Sequence, residues 1–127
     1  MGKFSDRFLR VVDRICSADL DYPRKAYCFV YESLGCAARA LDLGPDQHLS
    51  GEELMRIGII PLAFNRWGFL AKNVLVYWNI FCSDDIGKIV RNFVEAGVFN
   101  KDSTDRWEDF SAVDLEKELE RLQESNF

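Results

Sequence analysis

Apolar side chains recur at every third or fourth position through most of this chain, and that spacing leaves little but a helical fold. From Phe4 to about Ala18, the residues Phe4, Phe8, Val11, Val12 and Ile15 are separated by Asp6, Arg7, Arg10, Asp13 and Arg14. A helix turns by about 100° per residue, so the apolar set gathers on one face. "ADLDYPRK" interrupts the pattern, and Pro23 suits the first turn of a new helix, where its missing N–H has no intrahelical partner. A second helix is predicted over about 24–41, burying Ala26, Tyr27, Val30, Leu34, Ala37, Ala38 and Leu41, with "LGPDQ" ending it.

"HLSGEEL", residues 48–54, reads either as chemistry or as the start of a third helix. Ser50 has the character of an N-cap, and Glu53 can reach back to its backbone N–H, which together make a capping box. Leu49 and Leu54 occupy the positions of a hydrophobic staple. Only His48 is then unexplained. A nucleophile–base pair of Ser50 and His48 needs an orienting acid and an oxyanion site, and the sequence offers neither. The helix start is the reading adopted.

That third helix runs from Gly51 towards Trp67, with Pro61 predicting a kink or break near Ile60. A fourth covers about 69–78. Ser83 is placed as the cap of a fifth, with Asp84 and Asp85 in its first turn, where carboxylates suit the positive end of the dipole. Ile86, Ile89, Val90, Phe93 and Val94 form its inner stripe, and Gly97 ends it. "VFN" and "RWEDF", joined by the polar tip "KDSTD", predict two short strands. Leu115, Leu119 and Leu122 mark a last helix over about 114–124.

The fold expected is mainly α: a single compact domain over 1–127 with a small β-hairpin. It has a helical first half (about 1–67), a helix-turn-helix plus hairpin that is winged-helix-like (about 69–110), and the C-terminal helix. A chain of 127 residues is long enough to bury a core without disulfide or metal staples.

Composition narrows the function. With 21 acidic and 16 basic residues the net charge is -5, which disfavours phosphate backbones and anionic membranes as main partners. No apolar run approaches the roughly 20 residues of a membrane span, and "MGKFSDRFLRVVDRI" carries charges where a secretory signal is apolar. Cys16, Cys28, Cys36 and Cys82 form no C-x-x-C pair and are expected as small buried side chains in a reducing, cytoplasmic compartment. No metal-ligand spacing or glycine-rich phosphate loop implies a cofactor.

In "YPRKAYCFV", "GPDQHLSGEEL" and "WNIFCSDDIGKIVRNFVEAGVFNKDSTDRWEDF" the chain resembles a family of small bacterial proteins of unknown function. That family shares the patterns Y-P-R-x-A-Y, H-x-S-G-x-E-L and W-x-I-x-x-x-x-D-x-G-x-I-V-x-N-x-V-E-A-G, and the likeness extends from about Asp21 to Leu119. The resemblance implies no activity and no site residue.

Candidate contacts remain. Arg24 and Lys25 oppose the dipole at a helix N-terminus, which calls for pairing with Asp19 or Asp21, or for an acidic partner. The helix faces predict that some of Tyr31, Tyr77 and Trp107 are partly exposed. The leading expectation is therefore a non-enzymatic cytoplasmic interaction or adaptor module. Its partner is a protein or a second copy of itself, met through Arg24, Lys25, Tyr31 and Trp107. The alternative is a winged-helix-like nucleic-acid-binding regulator that uses Lys88, Arg91, Asn92, Lys101 and Arg106, against the opposing charge of Asp84, Asp85, Asp102 and Asp105. An enzyme with a site assembled from distant positions is the weakest reading.

Overall fold

The computed structural model describes residues 4–43, 49–98, 110 and 113–125, and every regular element among them is helical. Helix α1 (Asp6–Ala18) starts where the Phe8 N–H donates to the Ser5 hydroxyl at 3.1 Å. It buries Val12 and Ile15 and lays Phe8 and Val11 along the core's edge. Helix α2 (Arg24–Ala40) takes Pro23 as its N-cap. Its neighbour begins at α3 (Gly51–Glu53), where the capping box read from the sequence is present: Glu53 N–H donates to Ser50 Oγ at 3.1 Å, and Ser50 N–H donates to Glu53 Oε1 at 3.0 Å.

The disturbance expected near Ile60 is a change of helix type. Residues Leu54–Ile59 wind as a π-helix, and α4 (Ile60–Trp67) continues from it with Pro61 in its first turn. The Ile60 N–H donates to Met55 O, five residues back. Where a π ladder returns to the α pattern, one carbonyl is passed over without a donor. Proline has no N–H to give, so it fits at that step without an unsatisfied group.

Gly58, on this π turn, faces the backbone of α2. Ser33 there is fully buried, its hydroxyl donating to Phe29 O at 2.9 Å. The two helices approach so closely that a Cβ on Gly58 would lie 2.5 Å from Ser33 O. Beside the crossing, Phe29 sits 5.1 Å from Trp67 and 5.8 Å from Trp78, and the two indoles meet edge-on at 5.4 Å. On the other side of α2, Tyr27 packs edge-on against Phe93 at 5.4 Å.

A 3-10 turn (Gly68–Leu70) leads into α5 (Ala71–Tyr77), followed by α6 (Ser83–Glu95) and α7 (Leu115–Ser125). Helices α2, α5 and α6 end alike, each with one residue in the left-handed region: Asp42 (φ 52), Asn79 (φ 66) and Gly97 (φ 81). The next N–H reaches back five residues in each case, Leu43 to Ala38 O, Ile80 to Leu75 O and Val98 to Phe93 O. These are Schellman closures, which satisfy carbonyls the helix end leaves free. Asp42 thus ends α2 before "LGPDQ" does. Helix α7 buries Leu115 and Leu119, and its acids pair with the π turn and α5: Glu118 with Arg56 at 2.8 Å, and Glu116 with Lys72.

The winged-helix-like second half with its β-hairpin is overturned. There is no strand among the described residues. Val98, the first residue of the expected strand "VFN", is committed to closing α6. Phe110, the last of "RWEDF", is helical and buried, and its ring lies 3.3 Å from where a Cβ on Gly87 would stand. The tip and the rest of the hairpin, residues 99–109, lie outside the described residues, as does His48. Nor are the cysteines core residues: Cys16, Cys28 and Cys36 are half-buried and Cys82 is exposed. No helix among the described residues is long and apolar enough to cross a membrane.

The α2–π crossing generates a stability prediction. Gly58→Ala forces a methyl group against backbone that has nowhere to move, and overpacking of this kind costs about 1–3 kcal/mol. That exceeds the roughly 1 kcal/mol alanine gains over glycine in a helix. Urea unfolding is expected to show a lower midpoint at unchanged m-value.

Candidate interaction surface

The turn from α1 to α2 is held against the turn from α5 to α6 by side chains of both. Asp19 Oδ1 accepts from the Asp21 N–H at 2.9 Å, which shapes the first turn. Asn79, already the left-handed cap of α5, donates its amide to Asp21 O at 2.9 Å. Asparagine suits both tasks, since it tolerates the left-handed region and carries a donor.

The strongest link is Asp85. It lies in the first turn of α6, yet it is only 9% exposed, and both oxygens are occupied. Oδ1 accepts from the Tyr22 hydroxyl at 2.5 Å, and Oδ2 accepts from the Phe81 and Cys82 N–H groups at 2.8 and 3.1 Å. Cys82 is therefore the N-cap of α6, and Ser83, expected in that place, is its first residue. Burial pushes the Asp85 carboxyl up, but the Tyr22 hydroxyl, the two backbone donors and the Lys88 charge outweigh it and hold it below the usual carboxylate range. Burial, reinforced by the Asp85 charge, drives the Tyr22 phenol well above its ordinary value. A second link joins the same helices: Asn92 Nδ2 donates to the Tyr27 hydroxyl at 2.9 Å and to Asp19 Oδ2 at 3.2 Å. Burial raises Tyr27 to about 12.

These pinned turns display Leu20, Tyr77 and Phe81, exposed by 85%, 84% and 59%. Leu20 precedes Asp21, whose carbonyl binds Asn79, and Asn79 stands midway between Tyr77 and Phe81. The three side chains thus belong to adjoining turns and present on the order of 400 Å² of largely apolar surface. Bulky apolar side chains exposed on adjoining turns mark a candidate contact surface. Exposed carboxylates of the same turns, such as Asp21, give it a polar rim.

The residues expected to form a contact surface do not gather here. Arg24 pairs with Asp13, at 3.2 Å, in place of Asp19 or Asp21. Lys25 is exposed beside it. Tyr31 packs tilted against Phe8 at 4.2 Å and edge-on to Phe93 at 6.2 Å, which leaves it 38% exposed. Trp107 lies outside the described residues. Of the residues considered for nucleic acid, Lys88 is exposed, Arg91 pairs with Glu95 at 3.3 Å, and the Asn92 amide is committed to Tyr27 and Asp19. Lys101 and Arg106 lie outside the described residues. Among those described, no three His, Cys, Asp or Glu side chains are placed to hold a metal ion.

Tyr77 was legible as a candidate exposed aromatic. Leu20 and Phe81 were not, because periodicity assigns no face to a single apolar residue in a turn. The available signal was a bulky apolar residue inside each turn-forming stretch, "DLDYP" and "NIFCS". Comparison with protein-family models, curated proteins and solved structures finds no match to this chain.

Asp85 supplies a pH prediction. Its folded pKa lies below the unfolded one, so its contribution is complete above about pH 4 and is lost as pH falls through the lower folded value. Asp85→Asn is expected to cost about 2–3 kcal/mol at neutral pH, as loss of hydrogen bonds to a charged acceptor does. Chemical denaturation across pH should show the gap between variant and wild type closing in acid. Tyr22→Phe removes one of the donors and should cost less, about 1–2 kcal/mol.

Proposed function

We propose that this chain is a non-enzymatic protein-interaction module whose contact surface is the Leu20, Tyr77 and Phe81 patch. The observation that carries the reading is the rigidity of that exposed apolar surface. Its turns are fixed by a Schellman closure, by the Asn79 bond to Asp21 O and by the Asp85 hub. Anchors already held in place lose little conformational freedom on binding, so more of their burial appears as affinity. An aromatic pair beside an aliphatic residue within a polar rim is the composition of interface hot spots. Reducing conditions suit the molecule, since the Cys82 thiol is exposed and no cysteine is bridged, so we assign it to the cytoplasm.

The test is capture on the immobilised full chain from native cell extract, with and without nuclease, alongside the triple variant Leu20→Ser, Tyr77→Ser and Phe81→Ser. All three side chains are exposed, so the variant should keep its far-UV circular dichroism and thermal midpoint. A partner in stoichiometric amount is expected to survive nuclease and to be lost with the variant. Retention by the variant would overturn the assigned surface, and release by nuclease would move the reading to nucleic acid. Sedimentation velocity of the isolated chain identifies the case in which the partner is a second copy.

A further inference from the structure

Arg7, Arg10 and Arg14 follow one another at i, i+3 and i+7 on α1, so they share a face and span about 10 Å along the helix. All three are exposed. None makes an ion pair with the described residues, although nearby charges do: Asp13 holds Arg24, and Glu95 holds Arg91. Like charges at this spacing destabilise a helix, and Arg7 also opposes the dipole at its N-terminus. A row of like charges that forms no ion pair with the described residues points to a ligand.

The row edges a groove. With Phe8, Val11 and Asp13, whose carboxylate is taken up by Arg24, the arginines line an open cleft of about 730 Å³ whose far side is Ala96, Gly97 and Val98, the closure of α6. Its floor is apolar: Phe8, Val11 and Val98 are half-buried there, packed against the core on their inner sides. The part of the chain that builds this groove is balanced in charge. Residues 99–127 hold nine of the 21 acidic residues and four of the 16 basic ones, while residues 1–98 hold twelve of each. The net charge of -5 therefore belongs to the C-terminal stretch.

We propose that this groove docks an acidic amphipathic helix of a partner protein. Carboxylates one and two turns apart on that helix meet the arginine row, and apolar side chains between them seat on Phe8, Val11 and Val98. The apolar floor favours such a helix over nucleic acid. The Phe8 ring is already engaged with Tyr31 at 4.2 Å and Phe93 at 5.9 Å, so it offers no open face for base stacking. This surface is separate from the apolar patch. Leu20 lies beyond the C-terminal end of α1, whereas the groove follows the first part of that helix, and failure of either reading leaves the other standing.

A displayed library of helical peptides, randomised on one face and selected against the full chain, tests the proposal. The expected consensus has Glu or Asp at i and i+3 or i+4 flanking Leu, Ile or Phe. Titration of the enriched peptide by fluorescence anisotropy should give an affinity that falls on adding salt, and that falls at least about tenfold in the double variant Arg10→Glu, Arg14→Glu. Both arginines are exposed and unpaired with described residues, so the variant should keep its fold, checked by its far-UV circular dichroism. A consensus without acids, undiminished binding by the variant, or tighter binding of a single-stranded oligonucleotide than of the peptide would each overturn it.

Discussion

The backbone of α2 passes Gly58 with no room for a methyl group, and much of the architecture follows from that approach. Only glycine lets the π turn lie against the Ser33 carbonyl. With the two backbones so near, Phe29 reaches across to Trp67 and Trp78, and these rings fill the wedge that opens beside the crossing. Met55 and Ile59 turn inward from the same stretch and are fully buried. Ser33 has the matching requirement. It is small enough for the contact, and its hydroxyl is satisfied within its own helix.

Away from the crossing, the molecule is held by polar contacts between elements distant in sequence. Asp85 is 63 residues from Tyr22, and Asn92 is 65 from Tyr27. Both links fasten α6 to the stretch that leads into α2 and its first turn. The turns that display Leu20, Tyr77 and Phe81 are therefore fastened at several points. A surface of this kind meets a partner as a fixed shape. The arginine row on α1 has the opposite character: three long side chains over an apolar floor, charged and adaptable.

Local signals were legible in the sequence, and tertiary ones were not. The Ser50–Glu53 capping box is complete within four residues, so reading it needed no knowledge of the fold. The apolar stripes of α1, α2, α6 and α7 were equally plain. The cap of α6 was misplaced by one residue, because Asp85 takes its position from Tyr22 as well as from its own turn. The hairpin was an error of a different sort. Val98 is apolar because it follows the left-handed Gly97 in a helix closure, and Phe110 because it packs over Gly87; neither reason is visible as a periodicity. The arginine row could be seen from the start, but only as the solvated face of a helix. That its charges meet no carboxylate among the described residues, while Asp13 turns to Arg24, is a fact of the fold.

The π turn bears on how this sequence can change. A π-helical stretch is an α-helix carrying one residue more than the α repeat requires, with both flanks still in register. Deleting one position within residues 54–59 would therefore leave α3 and α4 facing as they do, joined by ordinary α-helix. Pro61 would then stand inside a regular ladder, its ring against the carbonyl four residues before it. The extra residue and the proline are in this sense linked in one direction: Pro61 can be replaced while the π turn stays, but the extra residue can be lost without strain only together with the proline or after it.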